Sequence, residues 1–282
     1  MWRAASVLII CVLILAEPLY ARRSKARRKR APELVYTVSP SDAIDARVND
    51  EIRKAETILR SLDASNVFDS PYLISAVYYH DGFLTSFPEE KADADPARRI
   101  LAHLTRILTP EKKRDIINVI RDVASEFGPQ PERSRGIVRP VDEGELGRRR
   151  RRRPPHKTAV DLFVAEGTPV LSASHGVVVL AESLWNPTDP FSTTSQKGGN
   201  TVIIFDALTY RFYRYAHLDS AAVVPGSFVV AGQMIGAVGH SGLNASRPKH
   251  GRHLHFEINE YDGRAVRTFQ YAEIRRALDL GR

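Results

Sequence analysis

The chain changes from helical to strand-like patterning near residue 156, and this change limits the fold more than any other feature. In residues 39–128, four dipeptides place a capping side chain before a proline, which is typical of a helix start. They are Ser39-Pro40, Ser70-Pro71, Asp95-Pro96 and Thr109-Pro110. Apolar residues such as Ile44, Val48 and Ile52 then recur with helical spacing, and Gly128 is suited to end the last helix. We predict a small helical domain over residues 39–128.

From Thr158 onward, short β-branched or aromatic runs alternate with Gly, Pro, Asn and Asp, as in strands joined by turns. The predicted strands cover residues 169–170, 177–180, 201–205, 211–215, 228–230 and 253–258, and a short helix over 271–280 closes the chain. The sequence therefore predicts an α+β protein. Its small helical domain precedes a mainly antiparallel β domain over residues 156–282.

The N-terminus has the pattern of a targeting segment. Residues 4–16 form an uncharged, largely apolar run of thirteen, preceded by Arg3, whereas a spanning helix needs about 20 apolar residues. We expect residues 1–21 to be a signal peptide, cleaved after Ala16 or Ala21, of a periplasmic or secreted protein. The cations that follow oppose export, so an uncleaved membrane anchor is the alternative.

Two tracts carry the positive charge. Residues 22–30 hold seven cations and residues 148–153 hold six; subtracting these thirteen from the net charge of +8 leaves −5 for the rest. We assign the tracts to a basic linker at 22–38 and a Pro/Arg-rich linker at 129–155. No aromatic residue interrupts the second tract to stack on bases, so nucleic acid is not the expected partner. An anionic envelope polymer fits better.

A pair of histidines in the last predicted strand is the first chemical signal. His253 and His255 are two residues apart, so a strand projects both imidazoles from one face. Two neutral imidazoles suit zinc, but a polar strand face gives the same spacing. The single cysteine excludes a disulfide framework and a Cys-rich zinc site.

Neighbouring sequence motifs favour the metal interpretation. The four motifs, in order, are Val160–Val170 continuing to His175–Val178, then Tyr215–Leu218, then Val229–Gly236, then His253–Glu257. Together they resemble the LytM/lysostaphin-type zinc metallopeptidases, a family of cell-wall endopeptidases, over about residues 156–271.

The resemblance implies a function and a site. One zinc ion would be held by a histidine before the Val160-Asp161 strand, by Asp161 and by His255, with His217 and His253 as catalytic residues flanking a water. The implied activity is a zinc metalloendopeptidase hydrolysing the peptide cross-bridges of bacterial peptidoglycan, whose peptide stems would be its partner. The alternative is an inactive LytM-like module that binds or activates a cell-wall amidase. A structural or nucleic-acid-binding protein would leave the four motifs unexplained.

The first ligand departs from the family pattern. Lys157 stands where the family has its histidine, and His156 lies one residue further from Asp161. This odd offset would put His156 and Asp161 on opposite faces of a regular strand. His156 can therefore be a ligand only if it precedes the strand or if a bulge changes the register. We predict that His156 is the ligand, and that one of these two conditions is met.

Two loops border the predicted site. The segment from Ser241 to His253 is longer than is typical of the family, and we expect neither His240 nor His250 to bind the metal. Residues 183–200 are predicted to form a wall of the substrate groove, unless they are simply a long hairpin loop.

Overall fold

The computed structural model describes residues 40–79, 95–128, 137–142, 145–146, 156–248 and 250–280. The predicted signal segment at 1–21, the basic linker at 22–38 and the arginine run at 148–153 lie outside these residues. Residues Ser39–Arg282 form one compact unit. Within the described ranges, no helix combines the length and apolarity needed to cross a membrane.

Four helices begin at the four prolines that the sequence indicated. They are α1 (Pro40–Arg60), α2 (Pro71–Tyr78), α3 (Pro96–Ile107) and α4 (Pro110–Glu126). The side chains of Ser70, Asp95 and Thr109 each accept a hydrogen bond from the backbone N–H three residues later, as capping residues do. Gly128 follows α4 with a φ of 82°, a left-handed conformation that suits glycine.

The second half is the predicted antiparallel sheet with a helix at its end. The strands are β1 (Glu145–Leu146), β2 (Val160–Phe163), β3 (Pro169–Leu171), β4 (Gly176–Glu182), β5 (Asn200–Asp206), β6 (Arg211–Ala221), β7 (Phe228–Val229), β8 (Met234–Val238), β9 (Leu254–Tyr261) and β10 (Val266–Thr268), and α5 covers Tyr271–Ala277. The main strand order is β1-β2-β9-β6-β5-β4-β7, with β10 on β9 and β8 between β3 and β6. The α+β fold class is confirmed.

The sequence patterns missed β1, β8 and β10. These strands are only two to five residues long, and none contains a run of β-branched or aromatic residues, the pattern that indicated most of the other strands. Their pairing partners, β2, β3, β6 and β9, decide that they are strands.

The helices and the sheet share a buried core. Leu73 of α2, Ile100 of α3 and Ile116 of α4 join Phe205 and Phe212 of the sheet in one apolar cluster. The opposite sheet face forms a second cluster with Ile274 of α5. The helical segment, residues 40–79 and 95–128 of the described chain, thus covers an apolar face of the sheet that carries the histidines.

Candidate metal centre and active site

Asp161 and His255 meet because their strands are neighbours. β2 pairs antiparallel with β9, and Asp161 lies directly opposite His255 in that register. Directly opposed residues project their side chains together on one face. Asp161 Oδ1 lies 3.0 Å from His255 Nδ1, and both residues are buried.

His156 joins them from outside the strand. Because β2 begins only at Val160, strand alternation does not apply to His156, which resolves the problem of its odd spacing. The Lys157 carbonyl accepts a hydrogen bond of 2.7 Å from the Tyr271 N–H, which fixes this segment against α5. His156 Nε2 lies 3.3 Å from Asp161 Oδ2. His156, Asp161 and His255 each offer one ligand atom, and these atoms lie within 4.8 Å of one another.

Glu257 fixes the other side of the His255 ring. It lies two residues further along β9, on the same strand face, and its Oε1 is 2.7 Å from His255 Nε2. Arg214 donates to the same oxygen at 2.8 Å. Burial alone would raise the pKa of Glu257, but Arg214 and His255 hold it well below its usual range, so the carboxylate is charged. Sequence reasoning gave Glu257 no role, although its i+2 spacing from His255 was a usable signal.

Asp161 is charged for a similar reason. Burial acts to raise the pKa of this carboxyl, but the hydrogen bonds to His156 and His255 outweigh it and keep the pKa well below its usual range. An ionised carboxylate between two imidazoles is a donor set that zinc accepts readily. The chemistry of the three side chains therefore fits a zinc ion.

His217 reaches the same face through a β-bulge. In the pairing of β5 with β6, Thr201 opposes Ala216 and Asn200 opposes Leu218, which leaves His217 as the extra residue. Its φ of 64° is left-handed, which is uncommon for a residue with a side chain. In a regular strand His217 and Ala216 would point to opposite faces. The bulge instead brings the His217 ring to 5.6 Å from that of His255 between centroids.

Two glycines make room for the bulge. Gly242 has a φ of 99°, and a Cβ there would lie 2.4 Å from the Lys197 carbonyl oxygen and 3.1 Å from His217 Nδ1. A Cβ on Gly199, whose φ is 67°, would lie 2.4 Å from the Gly242 nitrogen. Both positions require glycine for their backbone conformation and for close approach.

His217 and His253 form a second pair beside the three potential ligands. Their ring centroids are 4.9 Å apart. His217 Nδ1 donates to the Ser241 carbonyl and His253 Nδ1 to the Gly251 carbonyl, each at 2.8 Å. A neutral imidazole that donates from Nδ1 keeps Nε2 as a proton acceptor. Burial lowers the pKa of His253, and that of His217 well below its usual range, so both are neutral near pH 7.

The remaining histidines lie at other places. His240 Nδ1 pairs with Glu166 at 2.6 Å on the surface. His250 is exposed, with its ring centroid 5.1 Å from that of His253. His175 Nδ1 accepts a hydrogen bond from Ala231, and His103 faces Glu56. His80 lies outside the described residues.

The site opens into a cavity of about 330 Å³. His156, His217, His253 and His255 line it. Residues 194–198, from the loop predicted to form a groove wall, lie in the lining. Sequence reasoning did not foresee that the helical segment also contributes. Tyr78, Tyr79, Asp95, Arg98 and Leu101 form part of the cavity wall.

Part of the chain matches a known protein family. Residues 155–268, less than half of the chain, match the model of peptidase family M23. The predicted resemblance to LytM/lysostaphin-type peptidases is thereby confirmed over these residues.

Solved structures of such peptidases are also similar to the chain. The antimicrobial peptidase lysostaphin from Staphylococcus simulans is 26% identical, with a TM-score of 0.34, over 44% of this chain and 45% of that one. A zinc-containing peptidase from Vibrio cholerae is 27% identical, with a TM-score of 0.33, over 47% of this chain and 39% of that one. The chain therefore spans less than half the length of either protein.

Proposed function

We propose that this protein is a zinc-dependent endopeptidase that hydrolyses peptide cross-bridges of bacterial peptidoglycan. The observation that carries the proposal is the convergence of His156, Asp161 and His255 beside the His217/His253 pair at one cavity. All five residues lie in the range that matches peptidase family M23. Peptidoglycan as the substrate rests on the resemblance to LytM/lysostaphin-type peptidases.

His156 Nε2, an Asp161 oxygen and His255 Nδ1 would hold the zinc. Nε2 of His255 would then donate to Glu257, an acceptor that fixes the tautomer and orientation of a ligating histidine. When bound, zinc supplies a Lewis acid and makes water more acidic. With three protein ligands, a bound zinc would still have a position for water, as in catalytic zinc sites.

The neutral His217/His253 pair would move the protons. The unprotonated Nε2 of one ring would accept a proton from the attacking water, and the resulting imidazolium would give it to the leaving amine. A protonated imidazole beside the developing oxyanion also stabilises its charge. Both rings are held by carbonyls at Nδ1, so little reorientation is needed.

The first experiment measures zinc content and peptidoglycan hydrolysis together. We expect about one zinc per chain in the parent, loss of zinc in His156→Ala, and retention in His250→Ala. The second variant is the control because His250 lines the cavity without belonging to the group of three. His217→Ala should keep its zinc, but its hydrolysis rate should fall at least 100-fold. A fall of about this size is typical when a general base is removed.

Other outcomes would change the conclusion. A folded parent that takes up no zinc would contradict the proposal. A parent that binds zinc, hydrolyses nothing and stimulates an amidase would instead be the binding module considered above.

Export and attraction to anionic wall polymers stay predictions from residues 1–21 and from the arginine tracts. Fractionation of cells for the tagged protein tests the first. Sedimentation with cell walls over a range of salt concentrations tests the second, because screening weakens charge attraction.

A further inference from the structure

The helical segment reaches the metal centre through one side chain. The Tyr78 hydroxyl, at the C-terminal end of α2, donates a hydrogen bond to Glu257 Oε2. The other oxygen of that carboxylate lies 2.7 Å from His255 Nε2 and accepts from Arg214 at 2.8 Å. A continuous chain of hydrogen bonds therefore runs from Tyr78 through Glu257 to His255.

Contacts on both sides of Tyr78 hold it in place. Tyr78 has no exposed surface, and its ring packs edge-on against Phe212 at 6.0 Å between centroids. Its carbonyl accepts from Asn259 Nδ2 at 3.3 Å, so α2 is tied to the same strand that carries His255. One helical turn earlier, Ser75 Oγ donates to Thr194 Oγ1 at 2.9 Å. The position of the hydroxyl is thus set by the packing of α2 on the sheet.

The chemistry of Tyr78 suits a fixed donor. Burial, followed by the charge of Glu257, raises the pKa of Tyr78 well above its usual range, so the hydroxyl keeps its proton. Glu257 Oε1 already serves Arg214 and His255, and Tyr78 satisfies the second oxygen. Without the hydroxyl, an oxygen of the partly buried Glu257 carboxylate would lose its donor. Reorientation of the carboxylate would reduce the cost of that loss. Reorientation would move the acceptor away from His255.

We propose that Tyr78 is a positioning residue that acts through Glu257 on His255, so that the helical segment forms part of the metal centre. The inference rests on the proposed function, because it assigns His255 to the metal. It gives residues 40–128 a role in the site itself.

The test is the zinc dissociation constant of the full chain, measured by competition with a chelator. Tyr78→Phe keeps the ring and removes the hydroxyl, and we expect about 10-fold weaker zinc binding, the size typical of lost outer contacts to a ligand. Tyr72→Phe is the matched control. It lies on the same helix and is also buried, and its hydroxyl has no hydrogen-bond partner among the described residues. Its zinc affinity should match that of the parent.

A second background separates positioning from simple packing. In the Glu257→Gln variant, the chain of hydrogen bonds from Tyr78 to His255 is already altered. Adding Tyr78→Phe to this variant should therefore weaken zinc binding by less than 3-fold. Residues that act as a unit show this non-additivity. Equal affinities of Tyr78→Phe and Tyr72→Phe would overturn the inference, as would an undiminished 10-fold effect in the Glu257→Gln background. If the parent itself binds no zinc, the proposed function fails instead.

Discussion

At the scale of single residues, the site is held by buried charges with fixed partners. Asp161 is buried and Glu257 is partly buried, and each is kept ionised by the groups around it. Glu182 is a buried carboxyl that differs from both. Its Oε1 accepts from the Thr194 N–H at 2.6 Å, while Oε2 has no hydrogen-bond partner in the described part of the chain.

Glu182 should make the protein less stable as the pH rises. Burial raises the pKa of Glu182 from 4.5 to about 7. The folded state therefore binds a proton that the unfolded chain releases near pH 4.5. The contribution of Glu182 to the free energy of unfolding is therefore fully present below about pH 4.5. It is lost as the pH rises to about 7, by up to about 3 kcal/mol. We expect the Glu182→Gln variant to lose less unfolding free energy than the parent between pH 5 and pH 8, as measured by urea unfolding.

The exposed Glu126 supplies the control for this measurement. Glu126→Gln should leave the slope of stability against pH unchanged. If Glu182→Gln shows the same slope as the parent, the buried carboxyl is not its source.

At the scale of elements, a strand irregularity creates the histidine pair. The bulge at His217 depends on the close approach of Gly199, Gly242 and the Lys197 carbonyl. Three separate segments, residues 197–199, the segment at Gly242 and strand β6, must therefore pack together before His217 faces His253. An isolated strand β6 would present His217 on the other face.

Gly242→Ala should damage this arrangement. Its Cβ would lie 2.4 Å from the Lys197 carbonyl oxygen, at a φ of 99°. Backbone must move, so we expect a loss of about 2–4 kcal/mol in unfolding free energy together with a fall in hydrolysis rate. Gly263→Ala is the matched control, because Gly263 has a φ of 95° but no atom within 4 Å of an added Cβ. Equal losses in the two variants would show that backbone conformation alone matters.

At the scale of the whole molecule, the helices cannot be separated from the sheet without exposing its core. Phe205, Phe212 and Tyr261 lie in the cluster shared with α2, α3 and α4. Each large apolar side chain left exposed costs roughly 1.5–3 kcal/mol. The removal of α2 would also leave Glu257 without the Tyr78 hydroxyl.

A chain truncated to residues 137–282 should therefore be less stable than the full chain and prone to aggregation. We expect its thermal unfolding temperature to fall by at least 10 °C, since the loss of several buried contacts exceeds the usual effect of one substitution. Light scattering and calorimetry on both chains check this. The helical segment would be an independent unit if the truncated chain is monomeric, is as stable as the full chain and binds zinc with the same affinity.

Local chemistry made much of the molecule predictable from sequence. Each helix start, at Pro40, Pro71, Pro96 and Pro110, is indicated by the proline and the residue before it. The longer strands are indicated by runs of β-branched or aromatic residues bounded by turn residues. The histidine and aspartate motifs likewise identified the side chains that meet at the centre. These features need no knowledge of distant parts of the chain.

Tertiary structure decided the rest, because the deciding contacts join residues that are far apart in sequence. The fixing of the His156 segment by Tyr271, and the three-segment contact that turns His217, cannot be read from a local pattern. Tyr78 and Glu257 are separated by 179 positions, yet one hydrogen bond joins them. Only packing of the helical segment on the sheet brings such groups together, since no local periodicity encodes which faces meet.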